Sequence, residues 1–311
     1  MFLARDFIIT KEGLIFAVTL NGTEEGRVIS CLRYVPHPGG LHKIDNEEAI
    51  ELLRQAYPHY LHYSKSRDVE LQAVPPERIA RHLQPRRKLS ELLRASPPTT
   101  PLQQRLQRLV QLLQDQGVPG GQLGVTGSLL AGTQHPESDI DLVVYGRQAF
   151  DKARQAVRQL IASQQLQSPS LALWETTWRR RGCDLSFADY LWHEQRKFNK
   201  GAIDGTKFDL VLVEEKFEEQ DTRDWHKDGL TTIRAMVSDA SEAFSMPARY
   251  QLDHHEISHV LSFTATYVGQ AKTGEEVEIA GFIEHSPEGE HRIIVGSSRE
   301  SPGQYIKVIH R

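Results

Sequence analysis

Residues 127–144 read GSLLAGTQHPESDIDLVV, and the fold turns on them. Asp139 and Asp141 stand at i and i+2 where an apolar run begins. On a strand that spacing puts both carboxylates on one side, with Ile140 and Leu142 facing a core on the other. Two acids about 7 Å apart along a strand repel each other. A cation between them relieves the repulsion. Mg²⁺ suits the place, being a hard ion that takes oxygen ligands from one or two carboxylates and from substrate phosphates. Gly127-Ser128 supplies the other half. It follows a short strand expected over 123–126 and opens a helix beginning at Leu129. A glycine lets the backbone approach a phosphate closely, and the next N–H groups and the Ser128 hydroxyl then point at it.

The surrounding sequence alternates in type. Apolar spacing predicts a strand over 139–145, helices over 149–166 and 186–198, and a strand over 208–213 (FDLVLV). A helix starting at Leu102 with one leucine-rich face ends at Gly117. Strands alternating with helices give an α/β reading for 102–226. Asp209 opens the FDLVLV strand, where an isolated acid is hard to explain structurally. It is the expected third carboxylate and could accept a proton from an attacking hydroxyl.

Upstream, apolar runs at 14–20 and 28–35 flank a turn-rich loop and predict a β-hairpin. Helices are expected over 47–62, capped by Asp45 or Asn46, and over 77–94 with a break at Pro85. Ser96-Pro-Pro-Thr-Thr-Pro101 is a linker, because three prolines in six residues cannot form a packed element. Downstream, 214–228 is a charged connector with seven acids and three bases, which marks a second boundary. Beyond it, strands are expected over 231–237, 258–268, 276–283, 292–295 and 305–309. Turn residues separate them, as in a small OB-like barrel. The expected layout is α+β at 1–95, a central catalytic α/β domain with a small mixed sheet at 102–226, and an all-β barrel at 229–311.

Lys+Arg of 37 against Asp+Glu of 41 gives a net charge of −4, which excludes a chain-wide cationic surface. Residues 229–311 carry seven bases and eleven acids, so this −4 resides there and a polyanion is expected on the rest. Cys31 and Cys183 are too few for a disulfide framework. With no signal-peptide pattern and no long apolar run, the expected setting is the cytoplasm, away from membranes.

The order of elements resembles the signature of the DNA polymerase β-like nucleotidyltransferase superfamily: Gly-Ser, ten residues to Asp139 in SDIDLVV, and later Phe208-Asp209-Leu210. It covers 123–213. The wider layout, with RDFIITKEGLIF at 5–16 and PARY at 247–250, is similar to a group of predicted archaeal and cyanobacterial nucleotidyltransferases. The resemblance implies transfer of a nucleoside monophosphate from an NTP, ATP among them, to an acceptor hydroxyl with release of pyrophosphate. It implies two Mg²⁺ ions, with Mn²⁺ as a substitute, held by Asp139 and Asp141, and Asp209 as a ligand of the catalytic one. Gly127 and Ser128 would hold the nucleotide. It implies no acceptor; RNA is a candidate. The alternative is a catalytically silent nucleotide- or nucleic-acid-binding module of the same fold.

Weaker signals accompany the motif. Between Arg179 and Lys200 lie six bases and three acids. A solvated face is the ordinary reading, and the functional one is a contact to the triphosphate or to an acceptor backbone, with Arg196 and Lys200 the candidates because they approach the Asp209 strand. Arg81, Arg86, Arg87, Lys88 and Arg94, with Tyr57, Tyr60, His62 and Tyr63, offer a nucleic-acid surface or plain packing. His255-Glu256-Ile-Ser-His259 matches a zinc-protease motif. It lies where strand-type sequence begins, and a polar turn is the stronger expectation.

Overall fold

The computed structural model describes residues 1–94, 97–215, 223–296 and 302–309. Ser96 of the linker and 216–222 of the charged connector lie outside the described residues. The chain divides into two compact units. One gathers Met1–His62, Glu70–Pro169 and Phe198–Glu218; the other gathers Tyr63–Val69, Ser170–Lys197 and Glu219–Arg311. Among the described residues, no helix is long and apolar enough to cross a membrane.

The first sheet consists of β1 (Phe7–Thr10), β2 (Ile15–Val18), β3 (Val28–His37), β4 (Gly40–Lys43), β5 (Leu61–Ser64), β6 (Val69–Val74) and β7 (Ile79–Leu83). Its order is β5-β6-β3-β2-β1-β7, with β4 on β3. The expected hairpin is the antiparallel β2–β3 pair. Helix α1 (Asn46–Ala56) starts at Asp45, whose carboxylate accepts from Glu47 and Glu48 N–H groups in a capping box. It stops short of the expected 62, because the residue before Pro58 is pushed out of helical geometry. The helix expected over 77–94 is also corrected. Residues 79–83 are the edge strand β7 beside β1, and α2 (Pro85–Arg94) begins only at the proline. A first-turn proline loses no hydrogen bond, so Pro85 starts the helix rather than interrupting one.

The central sheet follows. Thr100 caps α3 (Pro101–Asp115) by accepting from the Gln103 N–H at 3.2 Å. Next come β8 (Leu123–Val125), α4 (Gly127–Ala131), β9 (Ile140–Tyr145), α5 (Arg147–Ala162), β10 (Lys200–Ile203) and β11 (Thr206–Val213). The sheet order is β10-β11-β9-β8, with β9 and β11 parallel and the outer pairs antiparallel. Leu142, Val143 and Val144 of β9 are fully buried, so both faces of this strand are covered. Two clusters tie the sheets together within this unit. Leu3 and Ala4 pack on Val143, Tyr145 and Val213. Phe7, Ile15 and Tyr34 of the first sheet pack on Leu130 of α4.

The second unit holds α6 (Leu171–Arg181), α7 (Phe187–Gln195), β12 (His226–Asp239), β13 (Ala248–Asp253), β14 (Ile257–Ser262), β15 (Glu276–His285), β16 (His291–Val295) and β17 (Tyr305–Val308). The pairing runs β12-β13-β14-β16-β15 and returns from β15 to β12, closing a five-stranded barrel; β17 adds to the free stretch of β15. β14 and β16 are parallel. Trp174 and Tyr190 of α6 and α7 share a core with Tyr250, Ile279 and Ile293 of the barrel. The five expected strands are present, although the one expected over 258–268 ends at Ser262 and a 3-10 turn follows at Ala265–Tyr267; β13 is an additional strand that lacks an apolar run. Architecture thus matches the mixed α and β class with a small C-terminal barrel.

Candidate active site

Register builds the site. β11 pairs with β9 so that Asp209 lies opposite Asp141, and β10 pairs with β11 so that Lys200 lies opposite Asp209. Residues directly opposite share a sheet face. Asp141, Asp209 and Lys200 therefore stand in a row across three strands. Asp139 precedes β9 by one residue and sits on the same side as Asp141. Lys207, two residues before Asp209, joins them. Its ammonium donates to Asp209 Oδ2 at 2.6 Å and reaches Asp139 Oδ2 at 3.3 Å, with 6% of the side chain exposed. The sequence reading missed Lys207; strand alternation around Asp209 was the signal that could have placed it.

Burial and like charge shape the titration. Asp141 is pushed up to about 6, first by burial, then by the charge of Asp209 and, less, of Asp139; Lys207 and Arg5 work the other way. Burial acts to lower the Lys207 ammonium, but Asp209 and Asp139 outweigh it and the net shift is upward. Asp209 Oδ1 is buried and has no hydrogen-bond partner among the described residues. A buried, unsatisfied carboxylate oxygen is expensive and calls for a partner from outside the chain.

Gly127 adjoins the acids. Its φ is +65°, and a Cβ there would collide with Asp141 Oδ2 and stand 3.2 Å from Asp141 Cγ. Only glycine fits both the backbone angle and the close approach. Thr126 fixes this junction, since its N–H donates to the Asp141 carbonyl at 2.9 Å and its hydroxyl to the Arg5 carbonyl at 2.8 Å. Helix α4 has five residues and ends at Gly132 in the left-handed region. The return to β9 is a turn in which His135 and Ser138 exchange hydrogen bonds of 3.0 Å. A cavity of about 370 Å³ opens here, with Gly127, Ser128, Asp139 and Asp141 on one side and Arg33, Tyr34 and Lys43 of the first sheet also lining it.

Other candidates fall elsewhere. Arg196 belongs to the second unit, where its guanidinium donates to Glu275 at 2.5 Å and stacks over Trp192 at 4.3 Å. Arg179 pairs with Glu175 one helical turn away. Lys197 is buried and bonds Glu194 at 2.6 Å and the Thr266 carbonyl at 2.8 Å. In the first unit, Arg86 binds Glu215 and Gln122 and lies over the Tyr145 ring. Tyr60 is core and donates to Glu12 at 2.6 Å. His259 is buried on β14 beside Ser258, while His255 sits in the turn before it. The zinc-protease motif lacks its helix and is a polar turn entering a strand.

Among the described residues, no three His, Cys, Asp or Glu side chains are gathered as a ready-made metal-holding group. The chemistry of the three acids nevertheless fits a hard cation. Their donors are all oxygens, one oxygen of Asp209 is buried without a partner, and Lys207 already brings positive charge to Asp139 and Asp209.

The chain carries a nucleotidyltransferase domain. Residues 106–257 match the nucleotidyltransferase domain family. Over 98% of its length the chain is 32% identical to an uncharacterized protein of the archaeon Methanocaldococcus jannaschii, covering 98% of that protein. No solved structure matches the chain. The chain belongs to the nucleotidyltransferase family of the polymerase β-like superfamily.

Proposed function

We propose that the chain is a metal-dependent transferase that moves a nucleoside monophosphate from an NTP to an acceptor hydroxyl, with RNA the acceptor to test first. The observation that carries this reading is the in-register row of Asp141 and Asp209 at the strand ends beside Gly127. In the reaction a bond forms from the acceptor oxygen to the α-phosphorus. The bond from that phosphorus to the bridging oxygen breaks, and pyrophosphate leaves with the electron pair. Asp139, Asp141 and Asp209 would hold Mg²⁺ or Mn²⁺, which when bound supplies Lewis-acid stabilisation of the charge at the transferring phosphate. Asp209 Oδ1, which has no hydrogen-bond partner among the described residues, would take the acceptor's proton. Gly127 and Ser128 would receive the phosphates, with Lys200 on the same sheet face as Asp209. Arg196 is held by Glu275 and Trp192 and has less to offer a nucleotide. Incubation with α-³²P-labelled NTPs, Mg²⁺ and total RNA should transfer label. Transfer that survives in an Asp139→Asn/Asp141→Asn double variant would sink the mechanism.

One observation favours a silent binding module instead. Lys207 already neutralises Asp139 and Asp209, as a structural ion network would. Calorimetry showing NTP binding, with no turnover on any acceptor, would decide for it.

A further inference from the structure

The cavity beside Gly127 and Asp141 has a second wall, and it belongs to the first sheet. Arg33, Tyr34 and Lys43 line it. Sequence neighbours on a regular strand point to opposite faces, so Arg33 and Tyr34 should not both face one cavity. The register explains why they do. Ile15 pairs with Tyr34 while the next residue, Phe16, pairs with Leu32, which leaves Arg33 as the extra residue of a β-bulge. A bulge re-aims a side chain, and bulges recur beside active sites. Tyr34 lies directly opposite Lys43 on β4, which brings the second cation to the same place. Among the described residues the Arg33 guanidinium makes no hydrogen bond or ion pair, although acids stand across the cavity. An arginine aimed into a polar cavity without an internal partner suits an external anion.

The same sheet also packs against the helix of the proposed phosphate loop. Phe7, Ile15 and Tyr34 pack against Leu130 of α4, the helix that bears Ser128. The bulge thus sets Arg33 in fixed relation to Ser128. The charge count points the same way. The cavity lining holds two bases, Arg33 and Lys43, and three acids, Glu137, Asp139 and Asp141. An incoming triphosphate adds about four negative charges, and Arg33 and Lys43 offer its outer phosphates cations from the wall opposite the metal-holding acids.

We propose that the first sheet is the anion-binding wall of the active site, with bulge residue Arg33, assisted by Lys43, positioning the β- and γ-phosphates of the NTP. This rests on the nucleotidyltransferase reading above. The test is calorimetric titration of the full chain with ATP, inorganic tripolyphosphate and AMP in Mg²⁺. Arg33→Gln should weaken ATP and tripolyphosphate tenfold to a hundredfold and leave AMP unchanged, while Arg33→Lys recovers part of the loss. Arg234→Gln, on the exposed surface of the barrel, makes the same charge change and should alter nothing. If Arg33→Gln does not fold, Lys43→Gln reads the same contrast with a smaller effect. An ATP affinity that stays within twofold of the parent in both variants overturns the anion wall and leaves the transferase reading standing. A parent protein that binds none of ATP, GTP, CTP or UTP overturns both.

Discussion

Asp141→Asn should make the metal-free protein more stable while disabling it. In the folded chain the Asp141 carboxyl is raised from 3.8 to about 6. A carboxyl raised on folding makes the folded state bind more protons than the unfolded state between those values. Stability therefore falls as pH rises through that window. Below about pH 4 the group is protonated in both states and exerts no penalty. Above about 6 the penalty is complete, up to about 3 kcal/mol at 1.36 kcal/mol per unit. Among the described residues the Asp141 carboxylate makes no hydrogen bond, so an amide of the same shape loses no bond and removes first the cost of burying a charge and then the repulsion from Asp209 and Asp139. Urea denaturation in EDTA at pH 8 should show Asp141→Asn more stable than the parent by roughly 1–3 kcal/mol. The gap should close as pH falls toward 4. Mg²⁺ should narrow it at pH 8 by stabilising only the parent, through mass action. A variant less stable than the parent at pH 8, or a gap independent of pH, would refute the electrostatic reasoning.

Other perturbations follow from the same geometry. Gly127→Ala forces a Cβ into the Asp141 carboxylate at a φ of +65°; it should destabilise by about 1–2 kcal/mol and weaken Mn²⁺ binding, read by the electron-spin signal of free Mn²⁺. Lys207→Met removes the cation between Asp139 and Asp209. The metal-free protein should lose stability and Mn²⁺ should bind more tightly; weaker Mn²⁺ binding would show that Lys207 does not compete for the site. In the barrel, Arg292→Met strands Glu284, whose buried carboxylate Arg292 meets at 2.8 Å while lying 3.7 Å from the Trp225 ring centre. Breaking such a pair costs about 3–5 kcal/mol, and adding Glu284→Gln should recover part of it in urea melts followed by tryptophan fluorescence.

What the sequence made legible was local and regular. Asp139, Asp141 and Asp209 follow strand alternation, and Gly127 follows from a turn between a strand and a helix. Those need no knowledge of the rest of the chain. Lys207 stayed hidden because a lysine at a strand start reads as solvated, and only the meeting of β9 with β11 buries it among acids. Arg33 stayed hidden because its placement depends on a break in alternation. β13 (ARYQLD) lacks an apolar run and was lost for that reason. β7 was read as helix because its apolar positions precede a true helix. Residues 170–197, expected among the catalytic elements, cluster with the barrel instead, through Trp174 and Tyr190. No periodicity within 170–197 reveals which core its aromatic residues will join.

The charges in the first unit then acquire a common logic. The folded chain gathers three acids on one sheet face, raises one of them and leaves a buried oxygen of another unsatisfied. Such an arrangement works against folding, and a chain selected for stability alone would replace one acid with an amide. Lys207 offsets only part of the repulsion. It reaches Asp139 and Asp209, while Asp141 stays raised, first by burial and then by the charges of Asp209 and Asp139. On the cavity's other wall, Arg33 carries the complementary defect, a cation without a side-chain partner among the described residues, at a bulge of β3. Either defect alone could be an accident of packing. Asp139, Asp141 and Arg33 all line one cavity of about 370 Å³, and on the reading proposed above its charges balance when a cation joins the acids and an anion joins the arginine. On that proposal a metal and a polyphosphate together meet both demands, whereas an inert ion network would bind neither.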